Sequence, residues 1–357
     1  MKIAIDISPL KSAHQYRGIG FYTKNLIWAL KEYQPENEYI FFTRGENLPR
    51  NADLVHYPYF DVFNRTLPLF KKLPTVVTIH DLIPIVFPDR FPRGIKGEIK
   101  WQWQKLALKS VSAVITDSQS SKKDIHKLTA INREKIDVVL LAPSKEFKKL
   151  SIINYQLSIK EKYQLPDIFV LFVGDVNWNK NICGMLKAFH KLKAQSSKLK
   201  AIAKDLKLVF IGKAFRDKSL RETREIDCLI DELGIANYIL KLGFMPTKDL
   251  VAIYNLASVY CQPSFYEGFG LPCLEAMACG TSVVAADIPV LREVCGKAVV
   301  YVNPYNVDSI KDGIEKILCL NDSNHLNMVN KGMEQAKKFS WKKVAKKTVE
   351  VYEKIVA

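Results

Sequence analysis

Residues 258–277 read SVYCQPSFYEGFGLPCLEAM and contain one complete strand–turn–helix unit. The short apolar run at the start predicts a buried strand, and the segment that opens near Leu271 predicts a helix. Between them lie Gly268 and Gly270, which allow unusual backbone dihedral angles, while Pro272 suits a first helical turn. In parallel sheets, ligands bind at such turns, outside the carboxyl ends of the strands. The stretch therefore predicts both a fold class and a binding site.

Short apolar runs alternate with longer amphipathic segments along the rest of the chain. The first series of strand-like runs begins with KIAIDI at residues 2–7, and a second series begins with IFVLFVG at residues 168–174. The polar, weakly periodic segment 142–167 separates them. Repeated strand–helix–strand units form parallel sheets, so we predict an α/β fold with two doubly wound, Rossmann-like domains and a cleft between them.

The closing stretch, FSWKKVAKKTVEVYEKIVA, predicts a terminal helix with Ser340 as a candidate N-cap. The apolar side chains near one face of this helix are Trp341, Val344, Val351 and Ile355. We place the N-terminal domain at residues 1–165, together with the terminal helix at 340–357. The C-terminal domain then covers residues 166–339.

The composition is that of a folded globular protein with an anionic partner. The 357 residues are 48% hydrophobic and 25% charged, and the formal net charge is +16. A phosphorylated small molecule, an acidic membrane surface or nucleic acid would suit this charge. The cysteines contain no Cys-x-x-Cys pair, which favours a reducing cytoplasm. Neither a signal peptide nor a membrane-spanning segment is predicted.

Two acids, Glu267 and Glu275, flank the glycine turn. Carboxylates accept paired hydrogen bonds from vicinal hydroxyls, as they do when a protein binds a sugar or a ribose. The N-terminus of the following helix suits an anion, because its peptide N–H groups and its dipole both favour negative charge. Sugar-binding acids on either side of an anion site predict a nucleotide-sugar ligand.

The stretch PSFYEGFGLPCLEAMACGTSVV resembles the signature of retaining glycosyltransferases of family 4, which have the GT-B fold. Other segments resemble that family in the same order, including RGIGFYTKNLIWAL, TIHDLIPIVFPDRFP, FVGDVNWNKNICGMLKAF and LGFMPTKDLVAIYNLA. The resemblance implies transfer of a hexosyl group from a GDP-sugar or UDP-sugar to a hydroxyl of a glycan or lipid-linked saccharide, in glycan or polysaccharide assembly. It also implies a donor site on the C-terminal domain, an acceptor site on the N-terminal domain, and a C-terminal helix that crosses back. The family needs no metal.

The same match implies a role for individual residues. Glu267 would contact the donor sugar hydroxyls and Glu275 the ribose. Lys180 would neutralise the leaving diphosphate, which agrees with the charge that builds up when the sugar–phosphate bond breaks, and His80 would contact the donor sugar. The residues whose backbone would face the sugar and phosphate are Gly268, Phe269, Gly270 and Leu271. The glycines that would let the first helix approach the phosphate are Gly18 and Gly20.

The family's usual second cation is missing from this chain, because Asp175 and Asn179 occupy the common arginine positions. Lys213, Arg17 or a helix terminus are the candidates to replace it.

Simpler interpretations of several site residues stay open. Lys180 could be a solvated surface lysine, and His80 could be a structural histidine at a strand end. Gly18 and Gly20 could reflect ordinary loop geometry before a helix.

The segment RFPRGIKGEIKWQWQKLALKS, residues 90–110, mixes lysines and arginines with Trp101 and Trp103. Helices that rest on anionic lipid have this composition, but so do ordinary surface helices whose tryptophans point inward. We favour the surface helix and keep peripheral docking on the inner face of an anionic membrane as the alternative.

Other function classes have weaker support. A soluble-acceptor sugar synthase or a sugar-nucleotide epimerase would use the same fold, and product analysis separates them from a transferase. The charge permits nucleic-acid binding, but the basic residues are spread along the chain without an aromatic-basic motif, so no nucleic-acid partner is expected. The segment DISPLKSAHQYRGIG lacks the Gly-x-Gly-x-x-Gly turn of nicotinamide-dependent enzymes.

Overall fold

The computed structural model describes residues 1–12, 15, 18–151, 153–195 and 205–356. The chain forms two compact units, and the first of them is discontinuous in sequence. The first unit contains Met1–Ala142 and Phe339–Ala357, and the second contains Pro143–Lys338.

The first unit is built on a six-stranded parallel sheet with the strand order β2-β1-β3-β4-β5-β6. In chain order, the strands are β1 (Lys2–Asp6), β2 (Glu38–Phe42), β3 (Leu54–Tyr57), β4 (Thr75–Thr78), β5 (Ala113–Thr116) and β6 (Ile136–Val138). The α-helices described in this unit are Gly18–Tyr33, Ile83–Val86, Gly94–Leu108, Gln119–Thr129 and Trp341–Val356. Most strand residues are buried, as expected for strands covered on both faces.

The C-terminal helix Trp341–Val356 packs against the helix Gly18–Tyr33 within the first unit. Tyr352 is fully buried, and its hydroxyl lies 2.7 Å from Nδ1 of His56 on β3. Nε2 of His56 in turn lies 2.8 Å from the Thr78 hydroxyl on β4. Burial lowers the pKa of His56 to about 3, so the ring is neutral and serves as a structural link.

The second unit is built on another six-stranded parallel sheet, with the order β12-β11-β10-β7-β8-β9. In chain order, its strands are β7 (Phe169–Val173), β8 (Lys207–Ile211), β9 (Ile239–Leu242), β10 (Val259–Gln262), β11 (Val283–Ala286) and β12 (Val300–Val302). The α-helices described in this unit are Ile153–Lys162, Ile182–Gln195, Arg221–Glu232, Thr247–Leu256, Leu271–Ala278, Pro289–Cys295, Val307–Leu318 and Asp322–Lys337. Two parallel, doubly wound sheets confirm the predicted α/β fold.

Residues 143–165, which the sequence places in the N-terminal domain, group with the second unit. They contain the helix Ile153–Lys162, which packs against the helix Thr247–Leu256. Asp249 on that second helix accepts three side-chain hydrogen bonds from the segment. The donors are Tyr155, Lys162 and Tyr163, at 2.9, 2.7 and 2.6 Å. These bonds attach the segment to the second unit.

Candidate functional site

The strand order of the second unit places two loops side by side. Strands β8 and β9 lie on one side of β7, whereas β10, β11 and β12 lie on the other. β7 and β10 are therefore neighbours, with Val170 paired to Val259, although far apart in sequence. The loops that leave their carboxyl ends, 174–181 and 263–270, feed helices on opposite sides of this seam. Crevices at such switch points are the usual ligand sites of open α/β sheets.

Lys180 and Glu267 meet at this seam. The Lys180 ammonium lies 2.9 Å from Oε1 and 2.7 Å from Oε2 of Glu267, so it contacts both carboxylate oxygens. The Glu267 side chain is only 6% exposed, whereas that of Lys180 is 21% exposed. The carboxylate is thus fixed inside the fold, and the lysine lies between it and the solvent.

Neighbouring side chains hold the Glu267 carboxylate in one orientation. Oε1 accepts hydrogen bonds from Nε2 of Gln262 at 2.8 Å and from the Ser264 hydroxyl at 2.7 Å. The Gln262 amide is itself oriented, because its oxygen accepts from the Tyr260 hydroxyl at 2.8 Å and from the Cys273 thiol at 3.3 Å. The resulting network is buried and polar, and such networks fix side-chain geometry.

Two asparagines connect the loops. The Asn179 side chain donates to the Tyr266 carbonyl at 2.9 Å, and the Asn179 carbonyl accepts from the Phe265 amide at 2.8 Å. Asn181 donates to the carbonyls of Pro263 and Pro304, at 3.0 and 2.7 Å. Asn179 is only 3% exposed, so its side chain joins the two loops from inside the fold.

The glycine turn ends at Gly270, which has a left-handed φ of 99° and is the N-cap of the helix Leu271–Ala278. A Cβ at this position would also overlap with Cδ2 of Leu291. Gly268 and Phe269 are buried, and Leu271 is partly exposed. Both conformation and space therefore require glycine at residue 270.

Glu275 lies in the second turn of this helix, which begins at Leu271. It accepts a hydrogen bond at 3.1 Å from the hydroxyl of Tyr254, which is fully buried on the helix Thr247–Leu256. Burial raises the pKa of Glu275 to about 7, although the bond from Tyr254 opposes the shift. The surroundings of Glu275 therefore favour its protonated form.

In the first unit, His80 forms a pair with Asp117. These residues follow the adjacent strands β4 and β5, and His80 Nδ1 lies 2.7 Å from Asp117 Oδ2. The Tyr22 and His80 rings form a T-shaped contact, with centroids 4.6 Å apart and an interplanar angle of 85°. Burial opposes a charge on His80, but the Asp117 carboxylate outweighs it and raises the histidine pKa. The imidazole is therefore held by the protein in one orientation.

Three further predicted residues lie on other elements. Gly18 opens the helix Gly18–Tyr33, and Gly20 is buried in the same helix. Lys213 is exposed and opens the short 3-10 helix that follows β8. Arg17, the other candidate for the second cation, lies outside the described residues.

Known proteins share the sequence patterns of both units. Residues 156–338 match the family described as glycosyl transferases group 1, and residues 15–140 match glycosyltransferase family 4. The chain belongs to the glycosyl transferases group 1 family. Membership confirms the resemblance drawn from the EGFG stretch.

Relatives of this group 1 chain include two proteins of Escherichia coli. The serotype-specific mannosyltransferase WbdA is 30% identical over 79% of this chain, and the match covers 34% of WbdA. The O-antigen chain mannosyltransferase B is 29% identical over 91% of this chain and 76% of its own length. The chain thus spans about a third of the length of WbdA.

Solved structures share the fold of this group 1 chain. Anabaena HepE, in complex with UDP and glucose, superposes with a TM-score of 0.73 at 17% sequence identity. The match covers 99% of this chain and 100% of HepE.

Several residues of the hydrogen-bond networks described above are missing from the sequence-based prediction. They are Gln262, Ser264, Asn181, Tyr254 and Asp117. Three of them, Gln262, Ser264 and Asp117, are polar residues at or just after the end of a buried strand, which is a signal that the sequence does contain. Tyr254 carries no such signal, because it lies on the apolar face of a helix.

Two features are absent from the residues that the structure describes. Within 1–12, 15, 18–151, 153–195 and 205–356, no cluster of three or more His, Cys, Asp or Glu could hold a metal ion. Among the helices of those same ranges, none is long and apolar enough to cross a membrane.

Proposed function

We propose that the protein is a retaining, metal-independent glycosyltransferase that moves a hexosyl group from a nucleotide diphosphate sugar to an acceptor hydroxyl. The observation that carries the proposal is the buried Glu267 carboxylate, held against Lys180 at the switch point of the second unit. Membership of the group 1 family supports the same activity.

The proposed chemistry follows from the charges at this seam. When the bond between the sugar and the diphosphate breaks, negative charge grows on the leaving group, and a fixed cation stabilises it. Lys180 has the exposure to reach such a group, whereas the more buried Glu267 has the fixed geometry to accept hydrogen bonds from sugar hydroxyls. The N-terminus of the helix Leu271–Ala278 adds a favourable dipole for the phosphates.

The proposed donor site includes further residues of the second unit. Glu275 would accept from the ribose hydroxyls, and Gly268, Phe269, Gly270 and Leu271 would present their backbone to the donor. Lys213 is our candidate for the second cation. Residues 143–338 would thus form the donor domain.

The first unit would form the acceptor domain. Its proposed contacts with the donor are His80 and the glycines Gly18 and Gly20. We propose a glycan or lipid-linked saccharide as the acceptor, because the relatives include an O-antigen chain mannosyltransferase.

We propose mannose as the first sugar to test, since the relatives are mannosyltransferases, with GDP or UDP as the nucleotide. HepE binds UDP and glucose, which supports a nucleotide-sugar donor of this general type. A thermal-shift panel of UDP, GDP and their hexose derivatives should identify the donor. If none of them stabilises the protein, the proposed function is wrong.

Transfer itself is tested with Glu267→Gln. The amide keeps the size of the carboxylate but not its charge, so turnover should fall by about tenfold or more, which corresponds to a lost charge-assisted hydrogen bond. Glu161→Gln, an exposed acid of the same unit, is the control and should keep full turnover. Nuclear magnetic resonance of the product gives the anomeric configuration, and an inverted product would contradict the retaining mechanism. Product analysis also separates transfer from synthase or epimerase chemistry.

We further propose that the first unit rests on the cytoplasmic face of an anionic membrane. On the helix Gly94–Leu108, Trp101 points into the core, and Trp103 lies under the Arg65 guanidinium, 4.4 Å from its ring centroid. Three apolar side chains nevertheless face the solvent, with lysines Lys96 and Lys100 beside them. They are Ile95, Ile99 and Leu106, which are 83%, 63% and 52% exposed.

Exposed apolar side chains next to lysines match the composition of helices that lie in a lipid interface. Flotation with vesicles that contain an anionic lipid should recover the wild type, and Ile95→Ser with Ile99→Ser should reduce recovery. Equal recovery with neutral and anionic vesicles at low salt would contradict the proposal.

A further inference from the structure

Three aromatic rings stack at the carboxyl edge of the second sheet. Trp178 and Phe265 have ring centroids 4.9 Å apart at an interplanar angle of 27°, and Phe265 and Tyr305 lie 4.9 Å apart at 26°. The rings come from the loops that follow β7, β10 and β12. Tyr305 ends the stack and is 72% exposed. A large aromatic side chain that remains exposed after stacking offers area to a ligand.

A groove of about 360 Å³ runs beside this stack, within the size range of small-molecule sites. Its apolar wall includes all three rings. Its polar rim is formed by residues of the helices Ile182–Gln195 and Arg221–Glu232. They are Cys183, Lys187, Glu222 and Glu225.

Charge and shape select the class of ligand. Glu225 is paired with Arg221, whose Nε lies 2.7 Å from its Oε1, so Arg221 and Lys187 balance the charges of the two acids. A rim without net charge gives phosphates, nucleotides and anionic lipids no electrostatic advantage over a neutral ligand. A neutral saccharide fits, since its hydroxyls can donate to Glu222 and Glu225 and accept from Lys187. The C–H face of a sugar ring also suits the negative face of an aromatic ring.

We propose that this groove is a saccharide-binding subsite that holds a sugar unit of a glycan. The subsite is separate from the Lys180–Glu267 seam. The inference goes beyond the proposed function, because saccharide binding here requires neither donor nor transfer. The two regions share loops, since Trp178 lies two residues before Lys180 and Phe265 two residues before Glu267. A bound glycan would therefore be kept close to the loops of the donor site while its other end reacts.

Cys183 can report on binding in the groove, because it is an exposed thiol on the rim. Cys228 and Cys319 are also exposed but do not line the groove, so they are internal controls. The full chain is treated with iodoacetamide, with and without linear tetrasaccharides of mannose, glucose or galactose. Peptide mass spectrometry then gives the alkylation rate of each cysteine. At least one tetrasaccharide should slow alkylation of Cys183 by about threefold or more, while Cys228 and Cys319 react at unchanged rates.

Variants at Tyr305 test whether the aromatic stack is responsible for saccharide binding in the groove. Tyr305→Ala should raise the dissociation constant of the protecting tetrasaccharide by about three- to tenfold, as expected for the loss of one ring contact. Tyr305→Phe keeps the ring and should keep the protection. Phe70→Ala removes another exposed ring, 89% exposed, from the first unit and should have no effect.

Three outcomes would overturn the inference. They are no protection by any tetrasaccharide, an unchanged dissociation constant in Tyr305→Ala, and protection by UDP or GDP without saccharide. Thermal shifts with UDP and GDP on the same samples report the donor site separately. If saccharides do not protect Cys183 but nucleotides still bind, the groove proposal is wrong and the proposed function is unaffected. If saccharides protect Cys183 but nucleotides do not bind, the proposed function is wrong and the groove proposal is unaffected.

Discussion

Replacement of Lys180 by methionine should lower the stability of the protein, because it leaves the buried charge of Glu267 without its ion-pair partner. Removal of one partner from a buried ion pair costs about 3–5 kcal/mol, because the other charge is left without compensation. Here Glu267 keeps its neutral donors Gln262 and Ser264, and the Lys180 side chain is 21% exposed. We therefore expect a smaller loss, about 2–3 kcal/mol, equivalent to a melting temperature lower by about 4–12 °C for a unit of this size.

Replacement of Glu267 should lower the stability of the protein less than replacement of Lys180. Glu267→Gln leaves Lys180 without its partner, but this side chain can turn towards water, so the loss should be only about 1 kcal/mol. The double variant should lose less than the sum of the single losses, with a coupling energy of about 1 kcal/mol or more.

Differential scanning calorimetry of the wild type, the two single variants and the double variant measures the stability losses and the coupling energy. Lys218→Met, at an exposed lysine of the same unit, is the matched control and should change stability by less than about 0.5 kcal/mol. If Lys180→Met unfolds like Lys218→Met, or if the two single losses add, then the pair does not stabilise the seam.

Two further predictions concern the glycine turn and the helix after it. Because burial raises the pKa of Glu275 to about 7 from 4.5, the folded state binds this proton more tightly than the unfolded chain, so stability should fall as pH rises from 4.5 through 7. Urea midpoints across this range should show a weaker fall for Glu275→Gln, and equal slopes would contradict the assignment. Gly270→Ala should cost about 3 kcal/mol from its φ of 99° and the overlap with Leu291, whereas Gly234→Ala, with a φ of 64° and open space, should cost about 1 kcal/mol. Equal unfolding midpoints for the two alanine variants would show that the turn is not constrained.

Local sequence patterns were sufficient to predict the strands. Runs such as IFVLFVG are apolar almost throughout, because parallel strands are buried on both faces. The helix Ile153–Lys162 was missed, since its polar sequence has little periodicity. Its position depends on Asp249, which is distant in sequence, and such tertiary contacts leave no local pattern.

The acids of the site could be predicted from their place beside a glycine turn, but their surroundings could not. Contact between Lys180 and Glu267 requires β7 to lie next to β10, and strand order is not encoded locally. The different surroundings of Glu267 and Glu275 have the same origin, because a lysine faces one carboxylate and a buried tyrosine faces the other.

Because residues 339–356 belong to the first unit, this unit cannot finish folding on the ribosome before the second unit has been synthesised. Domains generally fold in the order of their synthesis, yet here residues 339–356 emerge after the second unit and complete a unit that was begun before it. The second unit is entirely synthesised while β3 still lacks the Tyr352 hydroxyl that bonds to His56. A nascent chain arrested before residue 339 should therefore resist protease across residues 143–338 and remain sensitive across residues 1–142.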